Sequence, residues 1–421
     1  MGTQAADPQA RRVAVTGLGA VTSIGIGADA FAAGLRAGRS GARPVRAFDA
    51  SGFGHGTACE IVDFAPGPWI TRLDPGSLGR AAQFAVAAAR MAVDHAGAGG
   101  DLRERAGLVA IGTTDGESRD LDDLAAQELA RGWPGVDPAL ARRAGAGQLS
   151  VAVARELDLA GAEAVTVATA CAAGNVAIGY GFDAVIAGET DLAICGGADA
   201  FSRKTFTGFY RLGAVAPETC QPFDRNRKGI LPGEGAGVVV LESLEAARRR
   251  GAVIHVEVLG YGLNCDASHQ TAPDRDSVAA CIRLALDNAG VKPHEVDLIS
   301  AHGTATKAND VAEVHAIRQV YGDRPPRTVS MKSMLGHALG AASALAAVGC
   351  VLAITGGFIP PTINHVETDP ECPIDCVPNT AVPADLRIVQ NNGLAFGGNN
   401  AVLILGRYDS RHDSRYDRAP Q

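Results

Sequence analysis

The chain has no run of about 18 consecutive apolar residues, the length a membrane helix needs, and its opening segment, MGTQAADPQARR, has no apolar leader core. Neither a membrane span nor an export signal is expected, and a cytoplasmic setting follows. No Lys/Arg run longer than three residues occurs, and the formal net charge is −8, a poor match to nucleic acid or an anionic membrane surface. The 9 cysteines are scattered. Cys372 and Cys376 lie close together, but no second ligand pair flanks them, and a structural zinc needs about four ligands. No metal site and no disulfide framework is expected. The 52 glycines lack a period, which excludes collagen. There is no Walker-type loop, and Gly17-x-Gly19 lacks the third glycine of a dinucleotide fingerprint.

What is present is enough apolar material for a large core: 421 residues, 47% hydrophobic and 20% charged. The chain also repeats itself. Val13-Ala-Val15-Thr-Gly17-Leu-Gly19 has the pattern of Val256-Glu-Val258-Leu-Gly260-Tyr-Gly262. An Ala-rich helical stretch ending Asp94-His-Ala-Gly97 is matched by one ending Asp287-Asn-Ala-Gly290, each stopping at a glycine suited to a left-handed cap. Apolar strands follow both, at 107–111 and 297–301. A third echo pairs a helix from about Cys171 to Ala187 with one from about His337 to Thr355, both rich in Ala and Gly. Strand–helix alternation predicts an α/β fold of parallel sheets covered by helices, in two related halves. The small-residue helices belong between the sheets. The boundaries expected are 12–254 and 255–407, with unstructured ends at 1–11 and 408–421, the latter a low-complexity charged repeat.

Cys171 follows the apolar strand of VTVATACAAG and opens a helix, where unpaired N–H groups favour a thiolate and can hold an oxyanion. His302 stands at the end of the strand VDLISA, where α/β proteins place ligands. Lys332, between Met331 and Met334, is expected to be buried with a partner, since an unpaired buried cation is costly. His337 opens the helix that echoes the Cys171 helix, so the duplication predicts that the two face each other. One cysteine, two histidines and a lysine form an acyl-transfer constellation. Phe396 and the Gly397-Gly398 pair precede the last strand. PFDRNRKG, at 222–229, receives no chemistry from physics alone.

These segments resemble a known family. ATACAAG, HGTAT and SMKSMLGHALGAAS are similar to the signature segments of elongating β-ketoacyl synthases, and PFDRNRKG, GEGAGVVVLE and AFGGNN fit as well. The resemblance spans about residues 12–407. It implies a thiolase-like five-layer α-β-α-β-α fold, usually dimeric. Cys171 would take an acyl chain from a carrier thioester. His302 and His337 would bind the malonyl thioester carbonyl and promote decarboxylation. The N–H groups of Cys171 and Phe396 would form the oxyanion hole. Lys332 would be the structural lysine, paired with Glu313; Thr304, Thr306 and Gly397 would line the path of the phosphopantetheine arm; and Phe396 would gate it. No bound cofactor is implied, because the pantetheine arrives on the carrier. Leu394-Ala395 stands where the family often has Phe-Gly, which predicts a stiffer gate.

Within the family, TKAND at 306–310 and TDPEC at 368–372 resemble the ketosynthase alpha subunit of type II polyketide synthases, with a branch making reduced or polyene chains as the finer expectation. Asn400 is more like the fatty acid enzymes, so a 3-oxoacyl carrier-protein synthase II is the alternative. A chain-length-factor-like homologue would be the partner in a heterodimer, a second copy in a homodimer. Such factors lack the nucleophile, so Cys171 argues against a non-catalytic scaffold subunit. The carrier is acidic, and Arg72, Arg80, Arg203, Lys204 and Arg211 are candidates to contact it.

Overall fold

The computed structural model describes residues 11–100 and 102–409. The first half runs β1 (Val13–Thr22), α1 (Arg80–Ala96), β2 (Ala106–Gly112), α2 (Gln148–Glu156), β3 (Glu163–Val167), α3 (Ala173–Ile186), β4 (Leu192–Asp199) and β5 (Gly235–Ser243). The second runs β6 (Val256–Cys265), α4 (Arg275–Ala289), β7 (Leu298–Ser300), α5 (Lys307–Tyr321), β8 (Arg327–Val329), α6 (Ala341–Gly356), β9 (Ile388–Leu394) and β10 (Asn399–Arg407). Strand order is β3-β2-β4-β5-β1 in the first and β8-β7-β9-β10-β6 in the second, the same order twice. The halves meet where β1 and β6 pair antiparallel, Val13 opposite Val258 and Val15 opposite Val256. The expected division at 254/255 falls just before β6.

The sheets are mixed, not parallel as the strand–helix alternation suggests. β2, β3 and β4 are mutually parallel, but β5 runs against β4 and β1. β9 and β10 repeat the reversal. The last two strands of each half are direct neighbours paired antiparallel, a geometry that needs no crossover connection.

Alternation along the strands defines the layers. In β2, Leu108 and Ala110 point to the central core, Val109 and Ile111 to the outer layer with α1. In β10, Leu403 and Leu405 face the centre while Val402 and Ile404 face α4. α3 and α6 lie between the sheets, as their composition predicts. Every α6 residue from Ala341 to Ile354 is buried. Close approach explains the glycines: a Cβ on Gly174 of α3 would stand 2.6 Å from the Ala344 nitrogen of α6. Gly97 and Gly290 cap α1 and α4 in the left-handed region, at φ 60° and 63°.

The ends expected to be unstructured, 1–11 and 408–421, lie almost wholly outside the described residues. Within them, Arg11 pairs with Asp191 at 3.3 Å and the Tyr408 hydroxyl accepts from Arg248 at 3.2 Å. No helix among the described residues is long and apolar enough to cross a membrane.

Candidate active site

The site lies where the turns leading into α3 and α6 meet. Gly174 N–H donates to the Gly340 carbonyl at 3.1 Å, tying one turn to the other. Asn175 donates its amide to Asn391 O and Ala401 O, while Asn391 donates back to Asn175 Oδ1 and to Ser343 O. This buried amide knot locks the two halves at their axis. Asp199, at the end of β4, accepts from Thr113 Oγ1, Thr114 N–H and Asp115 N–H of the first half and Gly340 N–H of the second.

Cys171 sits in a 3-10 turn, Ala170–Ala172, ahead of α3, rather than in the helix itself. His337 likewise precedes α6, held in a parallel bridge to Pro232. Ala170, Ala305 and Leu339 adopt left-handed φ of 48°, 64° and 54°, a conformation that costs non-glycine residues of order 1–3 kcal/mol. Each lies within three residues of Cys171, His302 or His337. Some of the chain's backbone strain thus falls where it turns sharply beside these side chains.

Ligating atoms of Cys171, His302 and His337 all lie within 4.8 Å of one another, and all three residues are buried. The imidazole rings stand edge to face at 5.5 Å. The contacts of their outer nitrogens favour one tautomer. Leu339 N–H donates to His337 Nδ1 at 3.0 Å, and Lys332 Nζ donates toward His302 Nδ1 at 3.4 Å and to His302 O at 2.6 Å. With both Nδ1 atoms accepting, each neutral ring carries its proton on Nε2. Burial and the Lys332 charge push both histidines well below their usual range, His302 also by the field of His337, so they remain neutral donors. A metal would need the Nε2 lone pairs free, with Nδ1–H donating outward; the contacts here are the reverse. The cluster suits a developing oxyanion and not a cation.

The expected thiolate at Cys171 is not the resting form. Burial pushes its thiol up to about 11, outweighing the pull of the Lys332 charge and of the Phe396 and Cys171 N–H groups. Those two N–H groups face the sulfur.

Lys332 is buried as expected, though its direct contact is the His302 carbonyl. Glu313 is not its hydrogen-bonded partner. The carboxylate accepts His302 N–H at 2.7 Å, Gly303 N–H at 2.8 Å, Asn392 Nδ2 at 3.0 Å and Asn309 Nδ2 at 3.4 Å, so it shapes the histidine loop and acts on the lysine through its field. Burial lowers the lysine from its ordinary value, with Cys171 and Glu313 pulling the other way.

A cleft reaches this centre, lined by Thr304, Thr306, Phe209, Ile230, Leu394 and Phe396. Thr304 Oγ1 and Thr306 Oγ1 bond at 2.9 Å, and Thr306 caps α5. Phe396 is 39% exposed and packs on Phe209 at 5.7 Å. Gly397, at φ 80°, donates its N–H to Gln270 O at 2.8 Å. Ala395 is in ordinary extended backbone, φ −134°, so the chain does not use glycine's freedom at that position.

Sequence reasoning missed Phe209, Asp199, Asn392 and the Arg227–Asp310 pair. Arg227, in PFDRNRKG, is fully buried between Asp310 and Asp369, and Asp310 holds Phe223 N–H and Ala305 N–H. A lone arginine in a polar loop carries no local signal of burial. Of the basic candidates, Arg203 and Arg211 are exposed on the helix Arg203–Arg211, which also carries Phe209. Lys204 is held by Asp115 at 3.1 Å and Arg72 by Asp158 at 2.8 Å. Arg80 is no surface group, being largely buried on Glu234 at 2.6 Å.

Family models described as "Beta-ketoacyl synthase, N-terminal domain" and "Beta-ketoacyl synthase, C-terminal domain" match residues 10–247 and 255–366. A 3-oxoacyl-[acyl-carrier-protein] synthase 2 of Synechocystis is 37% identical over 415 residues, covering 96% of this chain and 100% of the relative. Among solved structures, the ishigamide ketosynthase/chain length factor matches with a TM-score of 0.93 at 63% identity, over 95% of this chain and 100% of that one. A type II polyketide synthase carrier protein in complex with its ketosynthase matches at 0.87 and 30% identity, over 95% and 100%.

Proposed function

The chain belongs to the beta-ketoacyl synthase family of acyltransferase-type condensing enzymes, and we propose that it is the active ketosynthase subunit of a type II polyketide synthase. The observation that carries this reading is one sulfur and two imidazole nitrogens gathered within 4.8 Å at the foot of a cleft. The 63% identity to the ishigamide protein favours the polyketide over the fatty acid branch. Cys171 marks the catalytic member of a ketosynthase/chain-length-factor pair.

The chemistry follows from the geometry. An acyl carrier thioester reaches Cys171 along the cleft, its pantetheine arm against Thr304 and Thr306 and past Gly397. The sulfur attacks the thioester carbon, the carrier thiol leaves with the cysteine proton, and the acyl group rests on Cys171. A malonyl carrier then places its thioester oxygen between the Nε2–H groups of His302 and His337. The bond to the carboxylate breaks, carbon dioxide leaves, and the electron pair moves onto that oxygen as an enolate. The enolate carbon attacks the acyl-cysteine carbonyl, whose oxyanion the Cys171 and Phe396 N–H groups receive. Collapse breaks the carbon–sulfur bond and frees a chain two carbons longer. Lys332 and Glu313 support the histidines.

Two surfaces support the expected partners. β3 is an edge strand with Ala164 exposed and Val165 and Val167 half-buried, and it leads directly into the Cys171 turn. An unpaired edge is a pairing template, so a chain-length-factor-like homologue docked there would wall the acyl site. Arg203 and Arg211, on the helix at the cleft mouth, would receive an acidic carrier.

Intact-protein mass spectrometry after incubation with acyl carriers, with and without co-purified partner, tests the reading. We expect acylation at Cys171, none in Cys171→Ala, and a Cys171→Gln variant that decarboxylates malonyl carrier without condensing it. No acyl adduct on the wild type under either condition would reject it.

A further inference from the structure

We propose that Tyr321 and Gln390 are positioning residues for His302, acting through Asn392 and Glu313. The four side chains form one unbroken hydrogen-bond line from the C-terminal end of α5 to the histidine. Tyr321 Oη donates to Gln390 Oε1. Gln390 Nε2 donates to Asn392 Oδ1 at 2.7 Å, and Asn392 Nδ2 to Glu313 Oε1 at 3.0 Å. That same oxygen accepts His302 N–H at 2.7 Å.

The line has a single possible polarity. Glu313 receives two backbone N–H groups and two side-chain amides, and offers no donor in return. Asn392 must therefore turn its NH2 toward Glu313 and its oxygen toward Gln390. Gln390 must then present its own NH2 to Asn392 and its oxygen to Tyr321, which can only donate. Burial pushes the Tyr321 phenol above its ordinary value, so it keeps that proton. Gln390, Asn392 and Glu313 are 0%, 2% and 0% exposed, so water cannot replace a lost partner. Aligned donors in such a medium polarise one another.

Strand geometry explains how the line is built. Residues 390 and 392 of β9 share the face toward the outer helices, while Asn391 points to the central knot with Asn175. The outer face of β9 thus spends two positions, flanked by Ile388 and Leu394 of the apolar outer cluster, on amides. Two buried amides in an otherwise apolar row are costly unless the contacts they make matter. What they reach is the backbone of His302, whose carbonyl anchors Lys332 and whose ring faces the same ammonium. Moving Glu313 moves the aim of His302 Nε2.

This inference rests on the ketosynthase reading for its kinetic test. Malonyl carrier decarboxylation and Cys171 acylation are measured separately in Tyr321→Phe, Gln390→Met and Gln390→Glu. Gln390→Glu keeps the volume but removes the donor that Asn392 needs, so it is the most informative. It should lower the kcat for decarboxylation about tenfold or more, with KM for malonyl carrier and the acylation rate within about twofold, and Gln390→Met and Tyr321→Phe should lose less. The nitrogen-15 signals of the His302 ring, assigned through a His302→Asn variant, should shift in Gln390→Glu without any substrate. Wild-type decarboxylation in Gln390→Glu, equal losses in both half-reactions tracking a lower Tm, or unmoved His302 signals would overturn the proposal. A wild type that fails to decarboxylate malonyl carrier would reject the ketosynthase reading instead, and the ring signals would still decide the role of the line.

Discussion

At the scale of single residues, burial and charge act on Cys171 in opposite directions, and burial prevails. The 3-10 turn supplies N–H groups and Lys332 supplies a cation, yet the thiol is held at about 11. A raised thiol is protonated below that value, so its reactive thiolate fraction grows about tenfold per pH unit across the neutral range. Alkylation of Cys171 in the free protein should therefore accelerate steadily to pH 9 and beyond without levelling. Lys332→Met, which removes the cation, should slow it at every pH in that range. A plateau below pH 8, followed by mass spectrometry of the Cys171 peptide, would contradict this. In the catalytic cycle the carrier thioester must thus meet a thiol that gives up its proton during attack.

At the scale of elements, the inner helices are built of small residues because two sheets and two helices converge there. Gly174 is the tightest point between the helices: its missing Cβ would meet Ala344 N at 2.6 Å and Ala344 Cβ at 2.7 Å. Gly174→Ala should cost about 1–3 kcal/mol, read as a lower denaturant midpoint at unchanged m. Because Gly174 lies three residues past Cys171, the variant should also slow acylation more than an equally destabilising change in α1. Stability equal to wild type would mean that the helices part easily, contrary to the packing described.

At the scale of the whole molecule, the first half ends in an edge strand and the functional centre lies beside it. Ala164 is exposed on β3, so Ala164→Lys should leave the Tm of the isolated chain unchanged while placing a charge on the pairing edge. Sedimentation should then show loss of the dimeric species, and condensation should fall with it. Assembly indistinguishable from wild type would show that β3 is not the pairing edge.

Much of this architecture was legible in the chain itself. The repeated strand and helix patterns, the glycine caps at Gly97 and Gly290 and the inner place of the Ala/Gly helices follow from local pattern, which also picks out Cys171, His302, Lys332 and His337 as candidates whose roles the family resemblance implies. Such features are carried by residues near one another in the chain. The strand directions, the thiol form of Cys171, the contacts of Glu313 and the line from Tyr321 to His302 follow only from the folded arrangement. Each depends on groups far apart in the chain, as Asn392 and Glu313 are, and on burial, which sets how strongly a charge or hydrogen bond is felt. Local pattern names the candidate residues; the assembled interior decides their protonation, their aim and their neighbours.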